Sequence, residues 1–441
     1  MAFVKQETII SSQPQFKGNF SVSKRIPDEA RFYRQTQASY TDSNGKLTYA
    51  DVDEPRFDHD PITGECKGLL FEEEVTNLLT GWDYHRSKML NYLVPAPTYD
   101  YGIAPDGTKT STLYNYSSNT GGYWYRSGGN MSAAYSGAGN GHYIYSVFIK
   151  VNSMASTQDF YIQHGGGGGI RIDNFNPNTG RFEVINNSAS AFGQIYYKNG
   201  WSRVWWAEDY SSGIASTTAQ ELQFISWSSG DVGTQFEAWG FQLEKRSSAY
   251  GNTSIRGGPT SYIRGSSVQN MKATDNCVIM ASDIGADHRS QPITVATELA
   301  NTFGEANPAP YMYPFFMKPE SGNGYALMHG NPNSSASDTM TYRLADVNNN
   351  ITWNGAGTLS GQGTLSKMSA RWNVNNCYFV SDSQSNISVD TSSAYGWIPH
   401  EIYIGNSAGY NRTLNGHIKY FYIWTSALTN DEMYEITRMH S

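Results

Sequence analysis

The sequence predicts an all-β protein, with two serial β-sandwich (jelly-roll) domains preceded by an extended N-terminal arm. Three observations carry this. Aromatic residues make up 14% of the 441 residues and charged residues only 16%, a mixture that fills pleated surfaces and leaves few helix-forming positions. The 43 glycines recur at short intervals, as many-turned sheets require. Between them run segments such as YIYSVFIKV, Tyr143–Val151, whose apolar residues recur with the period of two of a strand.

The elements follow in order. Residues 1–35 are polar and irregular and read as an attachment arm. Residues 36–80 form a turn-rich linker and anchor, opening on TDSNGKLTY, where Asn44-Gly45 sits between two strand-like pieces, a strong hairpin signal. Residues 81–265 supply the first jelly roll: YIYSVFIKV, RFEVI, QIYYKNGWSRVWWAE, ELQFISWS and QFEAWGFQLE, with Gly, Asn and Ser turns between them. The run Gly165–Gly169 has no side chains to pack and reads as a loop. Residues 266–441 supply a second set, from PITVATEL to HIKYFYIW. The final TNDEMYEITRMHS offers a cap, early acids, and Met433, Ile436 and Met439 at helical spacing, which predicts a short C-terminal helix.

Charge narrows the function. The net charge is -8, without the basic block that phosphate backbones require, so nucleic acid is not an expected partner. Cys66, Cys277 and Cys377 are far apart and lack metal-ligand spacing; they read as free thiols. MAFVKQETIISS lacks the pattern of a secretory leader, and no run of 18 apolar residues predicts a membrane span.

Two motifs resemble hydrolase parts. HGGGGG at His164–Gly169 suggests an oxyanion loop, and GNSAG at Gly405–Gly409 suggests a nucleophile elbow around Ser407. A true elbow needs a strand-to-helix turn above a parallel sheet, then an acid and a histidine. Asp431 and His440 follow in too short a segment, so the expectation is a hairpin loop and no enzyme. Acids cluster at Asp51–Asp60 and Glu72–Glu74, with no ordered calcium-loop pattern. The tryptophans of the middle region read mainly as core. Tyr123, Trp124, Tyr125 and Arg126, flanked by glycines, read as an exposed loop and are the candidate glycan-binding set.

The stretch around PRFDHDPITGECKGLLFEEEVTNLL closely resembles a segment found in many tailed-bacteriophage virion proteins, where it precedes a carbohydrate-binding-module-like jelly roll. The matching residues are Pro55, Arg56, Phe57, Asp58, Asp60, Pro61, Thr63, Gly64, Glu65, Gly68, Leu69, Leu70, Glu72, Thr76, Asn77, Leu78 and Leu79. The landmarks APDGTKTST, NGWSRVW and FEAWGFQLEKRSSAYGNTSI continue the likeness. EIYIGNS and LNGHIKYFYIWTSALTNDEMYEI resemble the last strands and closing helix of a laminin-G or concanavalin-like lectin domain.

The resemblance implies a virion structural protein, a tail fibre, head fibre or spike displayed on the virion surface. Host adhesion through glycans is its implied work. It also implies a homo-oligomer, commonly a trimer, joined to other virion proteins through the arm. No cofactor is implied except calcium, for which Asp338, Asp346 and Asp382 are the loop acids in suitable places. A purely structural decoration protein and a polysaccharide depolymerase are the alternatives. The PRFD stretch itself reads as a joint, with GLLF and NLL anchoring it against the first sandwich.

Overall fold

The computed structural model describes residues 10–79, 90–117, 123–126, 141–155, 160–164, 168–209, 222–225, 232–246, 258–264, 270–289, 291–300, 312–331, 339–346, 348–358, 365–381, 388–390, 396–407 and 412–438. Strands dominate them, all pairings are antiparallel, and helix is confined to short pieces. The all-β expectation holds.

Four large sheets form two pairs. In the central pair, a six-stranded sheet runs in the order Arg181–Asn187, Gly169–Asn176, Phe160–His164, Leu222–Ile225, Tyr123–Arg126, Leu90–Tyr92. A five-stranded sheet runs Ala191–Tyr196, Ser202–Asp209, His142–Ser153, Gln235–Arg246, Thr112–Asn115. The two share an apolar cluster that includes Val147, Ile149, Ile162, Ile172, Phe224 and Phe236. Alternation in His142–Ser153 explains how. Tyr145, Val147, Ile149 and Val151 enter that core, while Phe148 points the other way, to Trp201, Trp239 and Tyr262. This sheet is therefore covered on both faces, which is why its strands are apolar at nearly every position.

The flanking pair draws on both ends of the chain. Its eight-stranded sheet runs Ser388–Asp390, Cys377–Ser381, Ser366–Trp372, Ile293–Ala300, Gly416–Trp424, Cys66–Phe71, Phe57–His59, with Phe16–Asn19 also paired to Gly416–Trp424. Its seven-stranded sheet runs Ala30–Tyr33, Asn276–Met280, Pro399–Ile404, Met312–Pro319, Tyr325–Asn331, Thr339–Ala345, Ile351–Thr358. Val295, Ala370, Phe421 and Ile423 of the first share a core with Ile279, Phe315, Met317 and Ile402 of the second.

This corrects the reading of the N-terminal region. Described residues from Ile10 onward do not form a separate arm, because Phe16 pairs with Ile423 and Phe32 with Cys277 across most of the chain's length. Phe16 and Phe20 are fully buried in the flanking core. Three spaced phenylalanines are enough to bury two short strands whose remaining residues are polar. The sheets consequently do not follow one another serially; the central pair lies between two halves of the flanking pair.

Local expectations hold elsewhere. Ala38–Thr41 and Leu47–Ala50 form the Asn-Gly hairpin, with Asp42 Oδ1 accepting from the amides of Asn44 and Lys46 at 2.9 Å each. The helix Asn430–Ile436 carries a complete capping box between Thr429 and Glu432, and buries Met433 and Ile436; Met439 lies outside the described residues. Gly405 turns the chain after Pro399–Ile404 in the left-handed region, φ 70°.

Gly68 fixes the register of Cys66–Phe71 against Gly416–Trp424. Its φ is +105°, and a Cβ there would lie 2.1 Å from the Ile418 carbonyl oxygen. Gly68→Ala is expected to cost at least about 2 kcal/mol in chemical denaturation. Gly180→Ala, with φ +68° but open space around it, should cost only about 1 kcal/mol. Equal losses for the two would refute the close approach as the cause.

Candidate functional site

The PRFD stretch leads to the most highly charged buried place among the described residues. Arg56 and Glu72 lie at the two ends of the Phe57–His59/Cys66–Phe71 ribbon, and the ribbon brings their side chains together. Arg56 Nη1 donates to Glu72 Oε2 at 2.7 Å, and Nη2 pairs with Asp275. Arg34 Nη1 reaches the other oxygen of Asp275 at 3.1 Å. Lys272 Nζ stands 3.7 Å from Glu72 Oε2. Three cations thus surround two carboxylates, all at or near zero side-chain exposure.

Hydrogen bonds complete most of the shells that water would otherwise fill, Arg56 Nε excepted. Glu72 Oε1 accepts from the Ser261 amide at 2.6 Å and Oε2 from the Ser261 hydroxyl at 2.6 Å. Arg56 Nη1 also donates to the Ser39 carbonyl at 2.9 Å, and Arg34 Nη2 to the Asp51 carbonyl at 2.6 Å. Burial by itself would neutralise these groups. For Arg56, Asp275 and Glu72 outweigh burial and hold the guanidinium above its ordinary value. For Glu72, Arg56 and Lys272 more than reverse burial, and its carboxyl sits well below 4.5.

A second set of bonds clamps the lead-in and the exit of the central pair side by side. Asn77 Oδ1 accepts from the amides of Leu79 and Leu243 at 3.2 Å each, and Nδ2 donates to the Ile263 carbonyl at 3.1 Å. Arg203, from the five-stranded sheet, donates to the Thr260 carbonyl at 2.6 Å and the Ser146 hydroxyl at 2.9 Å. Asp58 accepts from the Thr41 amide at 2.7 Å and meets His417 Nε2 at 2.9 Å. Burial opposes its charge, but His417, Lys67 and the Thr41 amide keep the carboxyl below its ordinary value.

Sealed in this way, the cluster cannot receive a substrate. Of the apolar anchors expected against the first sandwich, Leu69 and Phe71 are instead buried in the flanking core, and only Leu78 and Leu79 enter the central core.

The sequence-predicted glycan set is placed differently from its expectation. Tyr123–Arg126 is a strand in the six-stranded sheet, not a loop. Trp124 is fully buried, with its ring edge against Tyr114 and Tyr116 at 5.1 and 4.5 Å and Nε1 donating to the Pro95 carbonyl at 2.8 Å. It cannot meet a ligand. Tyr123 is half-buried, 5.3 Å from Tyr92 between ring centres; the side chains of Tyr125 and Arg126 lie outside the description. Exposed tyrosines among the described residues include Tyr92, beside Tyr123, and Tyr99 and Tyr101.

Of the calcium candidates, Asp338 and Asp382 lie outside the described residues. Asp346 is a turn cap, accepting from the amides of Asn348 and Asn350 at 2.9 and 2.8 Å. Among the described residues no group of three His, Cys, Asp or Glu side chains could hold a metal ion. Ser407 is buried behind Gly405, whose neighbour is the Phe71 ring; His440 lies outside the described residues, as do Gly165–Gly167. Cys66, Cys277 and Cys377 are free thiols, and burial pushes Cys277 up to about 12. No described helix is long and apolar enough to cross a membrane.

No protein-family model and no curated protein matches the chain. Among solved structures it is loosely similar to a native heptameric SAP-like pentraxin from Limulus polyphemus, at 12% identity and TM-score 0.26 over 35% of this chain and 72% of that one. Domains LG4-5 of the mouse laminin alpha1 chain are similar at 8% identity and TM-score 0.25, over 66% and 84% of the two chains. The receptor binding domain of botulinum neurotoxin mosaic serotype C/D follows at 8% and 0.22, over 80% and 96%. At such scores none of these assigns a function.

Two outcomes test the joint. Arg56→Met leaves two carboxylates buried and is expected to cost about 3–5 kcal/mol in denaturant unfolding, whereas breaking the exposed Lys419–Glu65 pair should cost under about 1 kcal/mol. Comparable small losses would show the cluster to be dispensable. Acid should also weaken the fold. Glu72 lies well below 4.5 and Glu432, bonded to Ser11 and Thr429, at about 2. The unfolded chain takes up their protons first, so their contribution is full above about pH 4.5 and drains away as pH falls toward 2. A denaturation midpoint unchanged between pH 5 and 2.5 would contradict this.

Proposed function

We propose that the chain is a structural protein of a bacteriophage virion, a fibre, spike or similar surface appendage, whose two sheet pairs are β-sandwiches that display glycan-binding surfaces. The observation that carries the reading is the fate of the virion-like stretch. Arg56, Glu72 and Asn77, all residues of that resemblance, are spent inside the protein at the crossing between the two pairs, while Asp58 ties the hairpin to the eight-stranded sheet through Thr41 and His417. A segment built to join rigid β units suits an appendage that must present a surface without bending.

The adhesive surface falls to exposed groups, since Trp124 is interior. Tyr92, Tyr99 and Tyr101 are 51%, 38% and 46% exposed. Flat rings of this kind stack on the C–H faces of sugars while their hydroxyls hydrogen-bond at the edge. Other virion proteins are the proposed permanent partners. A homo-oligomer, a trimer by resemblance, would convert weak single contacts into firm attachment through effective concentration. The burial of Trp124 equally suits a decoration protein that binds no glycan, and the same measurement separates the two.

The assembled full-length protein is expected to bind intact host cells and to lose that binding after mild periodate oxidation of surface sugars. It should release no shortened products from host polysaccharide. Absence of binding to cells and to a broad glycan array would leave only the decoration role, and product release would make it a depolymerase.

A further inference from the structure

A cleft of about 390 Å³ opens beside the joint, on the eight-stranded sheet. One wall is the turn and strand start that carry Asp60, Thr63, Glu65 and Lys67. The opposite wall is Gly416–Trp424, through His417 and Lys419, and Ala300 with Leu365 closes the apolar side. Its volume suits one or two sugar rings and far exceeds what a lone inorganic ion would fill.

The chemistry of the lining is uneven in an informative way. Lys419 is engaged: its ammonium pairs with Glu65 at 3.2 Å and approaches Glu298 at 3.9 Å. His417 is engaged too, by Asp58 at 2.9 Å. Lys67 is half-buried and near enough to Asp58 and Asp60 to draw both carboxyls down. Yet among the described residues it makes no ion pair or hydrogen bond of its own through its ammonium. Lys67 therefore lines the cleft beside two carboxylates without a direct bond to either, and its ammonium donors can meet a ligand carboxylate there.

We infer that this cleft binds a carboxylate-bearing sugar, with the ligand carboxylate on Lys67, its hydroxyls on Glu65 and Thr63, and a C–H face on Ala300 and Leu365. The alternatives fit less well. A free phosphate offers few protons to the acidic groups at the rim, Asp60 and Glu65. A sugar acid brings one negative charge for Lys67 and several O–H donors for the carboxylate, as the donor–acceptor inventory requires. A neutral sugar would use the hydroxyl contacts but leave Lys67 unmatched. The inference rests on the adhesion reading and names the sugar class that one surface of it would take.

The test is calorimetric titration of the full chain with α-1,4-digalacturonate, its dimethyl ester, sialyl-lactose and inorganic phosphate. At least one of the two acidic sugars should bind. If digalacturonate does, the uncharged ester should bind at least about tenfold more weakly, since a charge-assisted contact is removed. Lys67→Met should weaken the acidic sugar by about tenfold or more, and Glu65→Gln by a smaller factor, while Lys109→Met, exposed in another part of the chain, changes nothing. Thermal melting of each variant separates lost binding from lost fold. If Lys67→Met melts early, Glu65→Gln and the uncharged ester carry the test.

The inference is overturned if neither acidic sugar binds at 10 mM (roughly ten-thousandfold weaker than a micromolar site), if charge removal on the ligand has no effect, or if a folded Lys67→Met binds normally. Displacement by equimolar phosphate would make this a simple anion site and overturn it as well. Loss of cell binding by the wild-type protein sinks the adhesion reading itself. Retained cell binding with a Lys67-independent sugar affinity sinks only this site.

Discussion

Many of the contacts that connect one sheet pair to the other gather at the Arg56 guanidinium. It touches Glu72 at the start of the crossing into the central pair, Ser261 at the return, Ser39 in the hairpin and Asp275 at the start of the flanking sheet. Taking such charges out of water costs several kcal/mol per ion, and their attraction rarely exceeds that by much. The cluster is therefore better understood as a geometric constraint than as a store of stability. Apolar side chains could fill the same space with similar energy, but they would tolerate sliding. A planar guanidinium with fixed donor directions does not. The orientation of the central pair on the flanking pair follows from that rigidity.

The strands of the middle region were legible because their signal is local. Alternation in Tyr143–Val151, the Asn-Gly turns and the capping box at Thr429 each depend on residues within a few positions of one another. Pairing between Phe16 and Ile423 depends on residues about four hundred positions apart, and no periodicity in a four-residue strand announces its partner. The same holds for the joint. Arg56, Asp58 and Glu72 drew attention as acids and bases in a dense stretch, but Arg34, Ser261, Lys272 and Asp275 carry no local mark of being their neighbours.

Trp124 shows a different failure. Glycines on both sides make YWYR resemble a loop, and a loop would expose all four side chains. A strand of the same four residues exposes alternate ones, and Trp124 falls on the inward face against Phe236 and Tyr116. The error was one of period, and it moved the candidate aromatic surface from Trp124 to Tyr92, Tyr99 and Tyr101. The cleft at Lys67 had no signal in the sequence either, because its two walls, Thr63–Lys67 and His417–Lys419, are brought together only by the pairing of Cys66–Phe71 with Gly416–Trp424.

That pairing has a consequence for synthesis. Phe16, Leu69 and Phe71 leave the ribosome early, yet their sheet partner Gly416–Trp424 comes some 345 residues after Phe71. At typical elongation rates of 5–20 residues per second, this is a wait of about 20 to 70 seconds. The central sheets, whose strands lie within residues 90–246, can close during that interval. The flanking sheets cannot, and their early strands wait for that partner, so the last strand to be made sets when they close.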